Sequence, residues 1–175
     1  MTAAIANLGD RRRFERLVGA LRTDLYRYAL WLARDPQLAE DVVQESMLRA
    51  WRSFDGLEDE AKARPWLVTI VRREFLRLRA KQREESVDPA FFADMADLSD
   101  AGEDPMVGEL RTAIFALEEN YREPLVLQVL MGHSTLEIAE IMEVSQGAIL
   151  TRLHRAREKL KESLLAADPG PEAQP

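Results

Sequence analysis

A chain of 175 residues holds one ordinary domain or two small ones, and 46% hydrophobic residues suffice for a packed core. The absence of cysteine excludes disulfides and thiolate metal sites, and two histidines alone form no credible metal cluster, so neither a metal nor another cofactor is expected. The net charge of −7 argues against nucleic acid only when taken as a whole: residues 1–83 carry 17 Lys/Arg against 12 Asp/Glu, residues 84–109 nine acids and no base, and residues 110–175 seven bases against ten acids.

A basic, an acidic and a mixed segment thus lie in series. The longest apolar run, Tyr28 to Ala33, is far short of the roughly 20 residues a bilayer span needs. The N-terminus has no apolar core behind its charges, so no signal peptide is expected, and a reducing cytoplasm suits the cysteine-free composition.

In chain order, Phe14, Leu17, Val18, Leu21, Leu25, Tyr28 and Leu32 follow the i, i+3, i+4, i+7 spacing of one buried helix face. Asp35-Pro36 resets the chain, Asp as an N-cap and Pro at the first helical position. The helix it starts runs to about Phe54 and ends at Gly56, with Val43, Met47, Ala50 and Phe54 inward. Asp41, Gln44, Glu45, Leu48 and Arg52 face outward, and a leucine framed by polar groups suits a protein interface, although one exposed leucine is also ordinary.

A polar stretch, Asp55 to Arg64, leads to a helix from Pro65 to about Arg83, about 28 Å long. Leu67, Ile70, Val71, Phe75 and Leu78 form its core side; Arg72, Arg73, Arg77, Arg79, Lys81 and Arg83 stand against the single acid Glu74, with Trp66 at the entrance. Charge that follows a backbone beside a ring that stacks on an unpaired base is what single-stranded DNA requires. The plain alternative makes Trp66 a core residue and the arginines a solvated face.

Residues 84–106 read as a flexible acidic linker, with Phe91, Phe92, Met95 and Leu98 either forming a short local helix or docking on a partner. From Val107 helices return. Leu110, Ala113, Ile114 and Leu117 make one stripe; Pro124 is placed in the first turn of the next helix; Leu125 to Met131 is apolar nearly all round and so central, and Gly132 ends it. His133 reads as a polar surface residue, and the tail from residue 167 as disordered.

Ser134-Thr135-Leu136-Glu137 is a capping box opening a short helix, Glu143-Val144 a turn, and Ser145 the cap of a longer helix: helix-turn-helix grammar. On the long helix Ile149, Leu153, Ala156 and Leu160 share the inner face, and Gly147, Thr151, His154, Arg155 and Glu158 the outer one. Arg152, Arg155, Arg157, Lys159 and Lys161 are positioned to reach phosphates. A solvated basic helix favoured by its own dipole explains the same charges without DNA. No Gly-rich phosphate loop, Gly-x-Ser-x-Gly elbow or His-Glu-x-x-His is present, so an enzyme is not expected.

Asp41-Val42-Val43-Gln44-Glu45 with Leu48-Arg49-Ala50-Trp51-Arg52 resembles region 2 of the extracytoplasmic-function (ECF, group 4) sigma factors of bacterial RNA polymerase. Arg64-Pro65-Trp66-Leu67 and the basic helix resemble the segment that melts and reads the −10 element. Tyr121-Arg122-Glu123, Glu137-Ile138-Ala139-Glu140-Ile141 and Thr151-Arg152-Leu153-His154-Arg155-Ala156-Arg157 resemble region 4. The likeness covers roughly residues 10–83 and 107–165.

The resemblance implies an all-α protein of two small helical domains, over residues 8–83 and 107–166, joined by the linker. Asp41, Gln44, Glu45, Leu48 and Arg52 would face the clamp helices of the β′ subunit, and the β flap would be a second polymerase partner. The loop from Asp55 to Arg64 would hold a flipped −10 base, and Arg64, Trp66, Arg72, Arg73, Arg77 and Arg79 would meet the −10 DNA. Ser145, Gln146, Gly147, Thr151, Arg152, His154 and Arg155 would meet the −35 element. The linker would thread toward the polymerase active-site channel, and an anti-sigma factor would hold the free protein inactive.

Three positions depart from the family pattern: Leu150 where many relatives have Lys or Arg, Glu143 where Gly is common, and Glu74-Phe75 where many have Asn and a small or apolar residue. Two rivals stand beside this reading: a helix-turn-helix regulator acting without polymerase, and a sigma mimic that titrates an anti-sigma factor.

Overall fold

Asp35 breaks the chain as its sequence predicts. α1 (Thr2–Ala33) ends where Arg34 turns left-handed at φ 56°, and α2 (Pro36–Arg52) starts with the Asp35 carboxylate accepting the N–H groups of Gln37 and Leu38. Ser53 closes α2 by donating its backbone N–H to Arg49 and Ala50. α2 therefore stops short of Phe54, which opens a 3₁₀ turn, Phe54–Gly56; a second, Glu60–Lys62, leads into α3 (Ala63–Glu85).

The computed structural model describes residues 2–57, 59–85 and 105–167. Phe91, Phe92, Met95 and Leu98 of the expected linker lie outside them, as do residues 168–175 of the expected tail, whose first residue, Ala167, still belongs to the last helix. The described residues contain no strand. They fall into two compact units, one of α1–α3 and one of four further helices.

In the first unit the three helices pack mutually around Leu25, Tyr28, Val42, Leu67, Val68 and Val71. Phe54, Leu57 and Ala63 form a satellite cluster, with Phe14, Leu17 and Trp66 packed against it. Trp66 is thus partly buried, its ring 6.5 Å from that of Phe54.

The second unit comprises α4 (Pro105–Ala116), α5 (Glu119–Val129), α6 (Thr135–Met142) and α7 (Gln146–Ala167). Pro124 is the sixth residue of α5 and not in its first turn, because the helix already starts after Glu118. Leu125, Val126, Leu127 and Met131 are buried, but Val129 and Leu130 are 65% and 49% exposed: the central helix emerges at its last turn. The buried Arg122 donates to the carbonyls of Phe115 and Leu117, capping the end of α4.

His133 is a correction to the surface assignment, being only 4% exposed. Gly132 at φ +70° reverses the chain, and the N–H of His133 returns to the carbonyl of Leu127, which carries the ring inward. No helix among the described residues is long and apolar enough to cross a membrane.

Candidate nucleic-acid interface

The helix-turn-helix forms as its caps dictate. The Ser134 hydroxyl accepts the N–H of Glu137, and the Glu137 carboxylate accepts the Ser134 N–H at 2.8 Å. The backbone N–H and, less strongly, the hydroxyl of Ser134 both donate to this carboxylate and hold the Glu137 carboxyl below its ordinary value, His133 adding a smaller push in the same direction. Glu143 ends α6 in the left-handed region at φ 58°, and Val144 donates back to Ala139. Glu143 thus holds a conformation that glycine adopts without steric cost. Ser145 then accepts the N–H of Ala148 and starts α7.

On α7, Ile149, Leu153, Ala156 and Leu160 are buried, whereas Gly147, Thr151, His154, Arg155 and Glu158 are exposed together, the two faces laid out as the 3.6-residue repeat requires. Ser145 and Gln146 are exposed beside them, with the Gln146 amide donating to Thr135 Oγ1 across the turn; Arg152 is half-buried. Two flanking cations differ from expectation. Arg157 donates to Gln128 at 2.6 Å, and Lys159 lies 3.5 Å from Glu118 and over the Tyr121 ring. Both therefore turn back onto the body of the unit, because their helix positions adjoin α4–α5 more than the outer face.

On α3, Arg73 and Arg77 are exposed and Arg72 and Arg79 half-buried, with the Arg79 guanidinium over the Phe75 ring at 5.7 Å. Glu74 is no solvated exception among these bases. It is buried and ion-paired with both Arg49 of α2 and Arg77 at 2.9 Å. Arg77 thus shares its charge with a protein carboxylate. Arg64 is held by Asp24 of α1 at 2.8 Å. Local charge on α3 is accordingly lower than the residue count suggests.

On α2, Asp41, Gln44, Leu48 and Arg52 are exposed and Glu45 is half-buried, so the expected outer face exists as one surface. Leu48 stands 54% exposed at its centre. Trp51, one turn further on, is also partly exposed and meets the Phe14 ring edge-on at 5.2 Å. Periodicity does not single out Arg13 of α1, yet it contacts the Asp55–Arg64 loop at two points, the Glu60 carboxylate at 2.7 Å and the Leu57 carbonyl at 3.2 Å, and lies over the ring of Phe54 just before it at 5.2 Å. Its partners lie 44 and 47 residues away, beyond any local pattern. Among the described residues no cluster of His, Asp and Glu is arranged to hold a metal ion.

Two family models match the chain, Sigma-70 region 2 over residues 17–85 and Sigma-70, region 4 over residues 108–160. The ECF RNA polymerase sigma factor SigM of Bacillus subtilis (strain 168) is 31% identical over 144 residues, spanning 79% of this chain and 86% of SigM. SigL of Mycobacterium tuberculosis (strain ATCC 25618 / H37Rv), another ECF RNA polymerase sigma factor, is 32% identical over 150 residues, spanning 80% and 82%. Among solved structures, the sigma factor RpoE in complex with the anti-sigma factor NepR from Bartonella quintana superposes with a TM-score of 0.76 at 28% identity, covering 87% of this chain and 97% of that one. CnrH in complex with the cytosolic domain of CnrY gives 0.67 at 28% identity, covering 95% and 96%.

Proposed function

The chain belongs to the ECF sigma factors of RNA polymerase, and from that membership we propose that it carries promoter specificity to core polymerase by binding alone, without catalysis of its own. The observation that carries the DNA-reading part is the geometry of α7: a fully buried seam of Ile149, Leu153 and Ala156 fixes the helix, and Thr151, His154 and Arg155 project from its opposite face. In this reading those three meet base edges of the −35 element. Ser145, Gln146 and Gly147 at the helix start and Arg152 at its flank set the register on the backbone.

The first unit takes the other two tasks. Asp41, Gln44, Glu45, Leu48 and Arg52 meet the clamp helices of the β′ subunit, an apolar centre inside a polar rim supporting the assignment. Arg72, Arg73, Arg77 and Arg79 follow the melted −10 strand, and the loop between α2 and α3 holds an unpaired base. Arg64, tied to Asp24, anchors the start of α3, and the partly buried Trp66 supports the loop from beneath. The two functional modules are assigned to residues 8–83 and 107–166, with the acidic segment 84–106 as the tether between them. The β flap is assigned as the second unit's polymerase partner.

The likeness to a sigma factor solved in complex with an anti-sigma factor supports control by such a partner, which fits a stress-responsive role. A factor that works on polymerase and promoter DNA acts where both reside, in the cytoplasm. The test is to add the purified chain to core polymerase and score promoter-dependent run-off transcription. Transcripts that require both components and a defined start site support the reading. Duplex binding without polymerase, and no transcript, would replace it with the stand-alone regulator; binding of an anti-sigma factor alone would replace it with the mimic.

A further inference from the structure

We propose that Arg13 of α1 is a positioning residue for −10 recognition, a brace that sets the conformation of the base-holding loop. The inference rests on the assignment of that loop to the −10 element given above. α1 contributes none of the residues assigned to DNA or polymerase, yet both ends of the loop are tied to it. At the near end Arg13 reaches Glu60, Leu57 and Phe54; at the far end Asp24 holds Arg64 at 2.8 Å.

Arg16 of α1 also reaches the Glu60 carboxylate, at a longer 3.5 Å, but it touches the second turn alone; the other polar bonds among the described loop residues are local. Leu57 donates to Phe54, Ala61 to the Asp59 carboxylate, and Lys62 to the Asp59 carbonyl. Such bonds shape each 3₁₀ turn but do not orient one turn relative to the other. Arg13 does so, because its guanidinium touches the first turn through Phe54 and Leu57 and the second through Glu60. One planar fork donates along its edge to two acceptors while its face covers a ring. A lysine ammonium offers a single point charge and cannot make the three contacts together.

The side chain of Arg13 is 31% exposed and that of Glu60 43%, so their ion pair adds little to global stability. Its effect is local, on the ordering of a loop that has few contacts of its own. Replacing Arg13 should therefore leave the helical core intact and loosen what the loop presents to an unpaired base.

Two measurements test this. Amide hydrogen exchange on the full chain should show Arg13→Ala accelerating exchange at Leu57, Ala61 and Lys62, with the amides of α2 and the interior of α3 unchanged. Holoenzymes carrying each variant are then used to select promoters from a library randomised at −10 with a fixed −35 element. Arg13→Ala should reduce discrimination among −10 bases by at least about fivefold, the scale of one lost base contact, and Arg13→Lys should restore it only in part. Arg11→Ala, which removes an equal charge from the same helix but only an i,i+4 partner, Glu15, should select as wild type does. The loop variants Asp55→Ala and Asp59→Ala separate the two levels of the argument. If they alter −10 selection and Arg13→Ala does not, or if exchange at the loop amides is unmoved, the brace is overturned while the loop assignment stands. If neither the loop variants nor Arg13→Ala alters −10 selection, the loop assignment falls and the brace with it. Equal effects of Arg11→Ala and Arg13→Ala would reduce Arg13 to a general electrostatic contribution.

Discussion

Arg49 of α2 and Glu74 of α3 form an ion pair that ties the helix assigned to polymerase to the helix assigned to the −10 strand. Glu74 is only 2% exposed, and its second oxygen takes Arg77 at 2.9 Å. A buried carboxylate with two cations is satisfied; with one removed it keeps its desolvation cost and loses half its compensation.

Arg49→Ala should therefore cost about 1–3 kcal/mol in the unfolding of the first unit, the range for a buried charge-assisted hydrogen bond. In a Glu74→Ala background the same substitution should cost almost nothing, because Arg49 is half exposed and rehydrates easily. Tryptophan fluorescence reports this unit alone, since Trp31, Trp51 and Trp66 all lie in it. Urea unfolding of the four proteins in the cycle measures the coupling; additive costs would show that the pair is not a stabilising unit.

The same pair marks a limit of what the sequence reveals. Period and caps are local, and they placed Asp35, Ser134, Ser145 and the inner and outer faces of α7 without tertiary information. Glu74 and Arg49 are 25 positions apart, and only the packing of α2 on α3 brings them together. Arg13 and its loop, and Arg157 with Gln128, are likewise products of packing. His133 is a different case: its burial follows from the chain reversal at Gly132, which the polar character of the residue itself does not encode.

The capping box predicts a pH signature in the second unit. The bonds from Ser134 hold the Glu137 carboxyl below its ordinary value of 4.5, so the ionised form is favoured in the folded state. The stabilisation is fully present above that ordinary value and is lost as pH falls through the lowered one. Glu137→Gln should flatten this part of the stability–pH curve; Ser134→Ala keeps the backbone N–H, the larger of the two causes, so it should flatten the curve only in part while costing about 1 kcal/mol at neutral pH. Thermal unfolding followed by the amide signals of α6 between neutral and acid pH gives the comparison. A wild-type curve parallel to that of Glu137→Gln below pH 4.5 would refute the role of the cap.

Leu48 sits 54% exposed amid Asp41, Gln44, Glu45 and Arg52, so it contributes little to the folded core. Leu48→Asp should leave unfolding within about 0.5 kcal/mol of wild type. Placed at the centre of an interface, the same change should weaken binding to core polymerase by at least about tenfold, or 1.4 kcal/mol. Fluorescence-detected titration with core enzyme checks this. Retained affinity would move the polymerase contact off this face of α2.

Arg155 and Leu153 are two residues apart on α7 and point opposite ways, which allows reading and folding to be separated on one helix. Leu153 is buried, so Leu153→Ala should destabilise the second unit by about 2–5 kcal/mol and abolish −35 function only indirectly. Arg155 is exposed, so Arg155→Ala should leave stability nearly unchanged and alter the preferred −35 base at one position, with a loss of about 1–3 kcal/mol on the original sequence. Arg152, half-buried on the flank, is assigned to the phosphate backbone; Arg152→Ala should weaken all sequences alike and lower the salt dependence of binding by about one counterion. Initiation assays on promoters substituted singly through the −35 element, repeated at several salt concentrations, distinguish the two arginines. An Arg155→Ala holoenzyme with unaltered −35 preference would remove base reading from this residue, even if overall initiation fell.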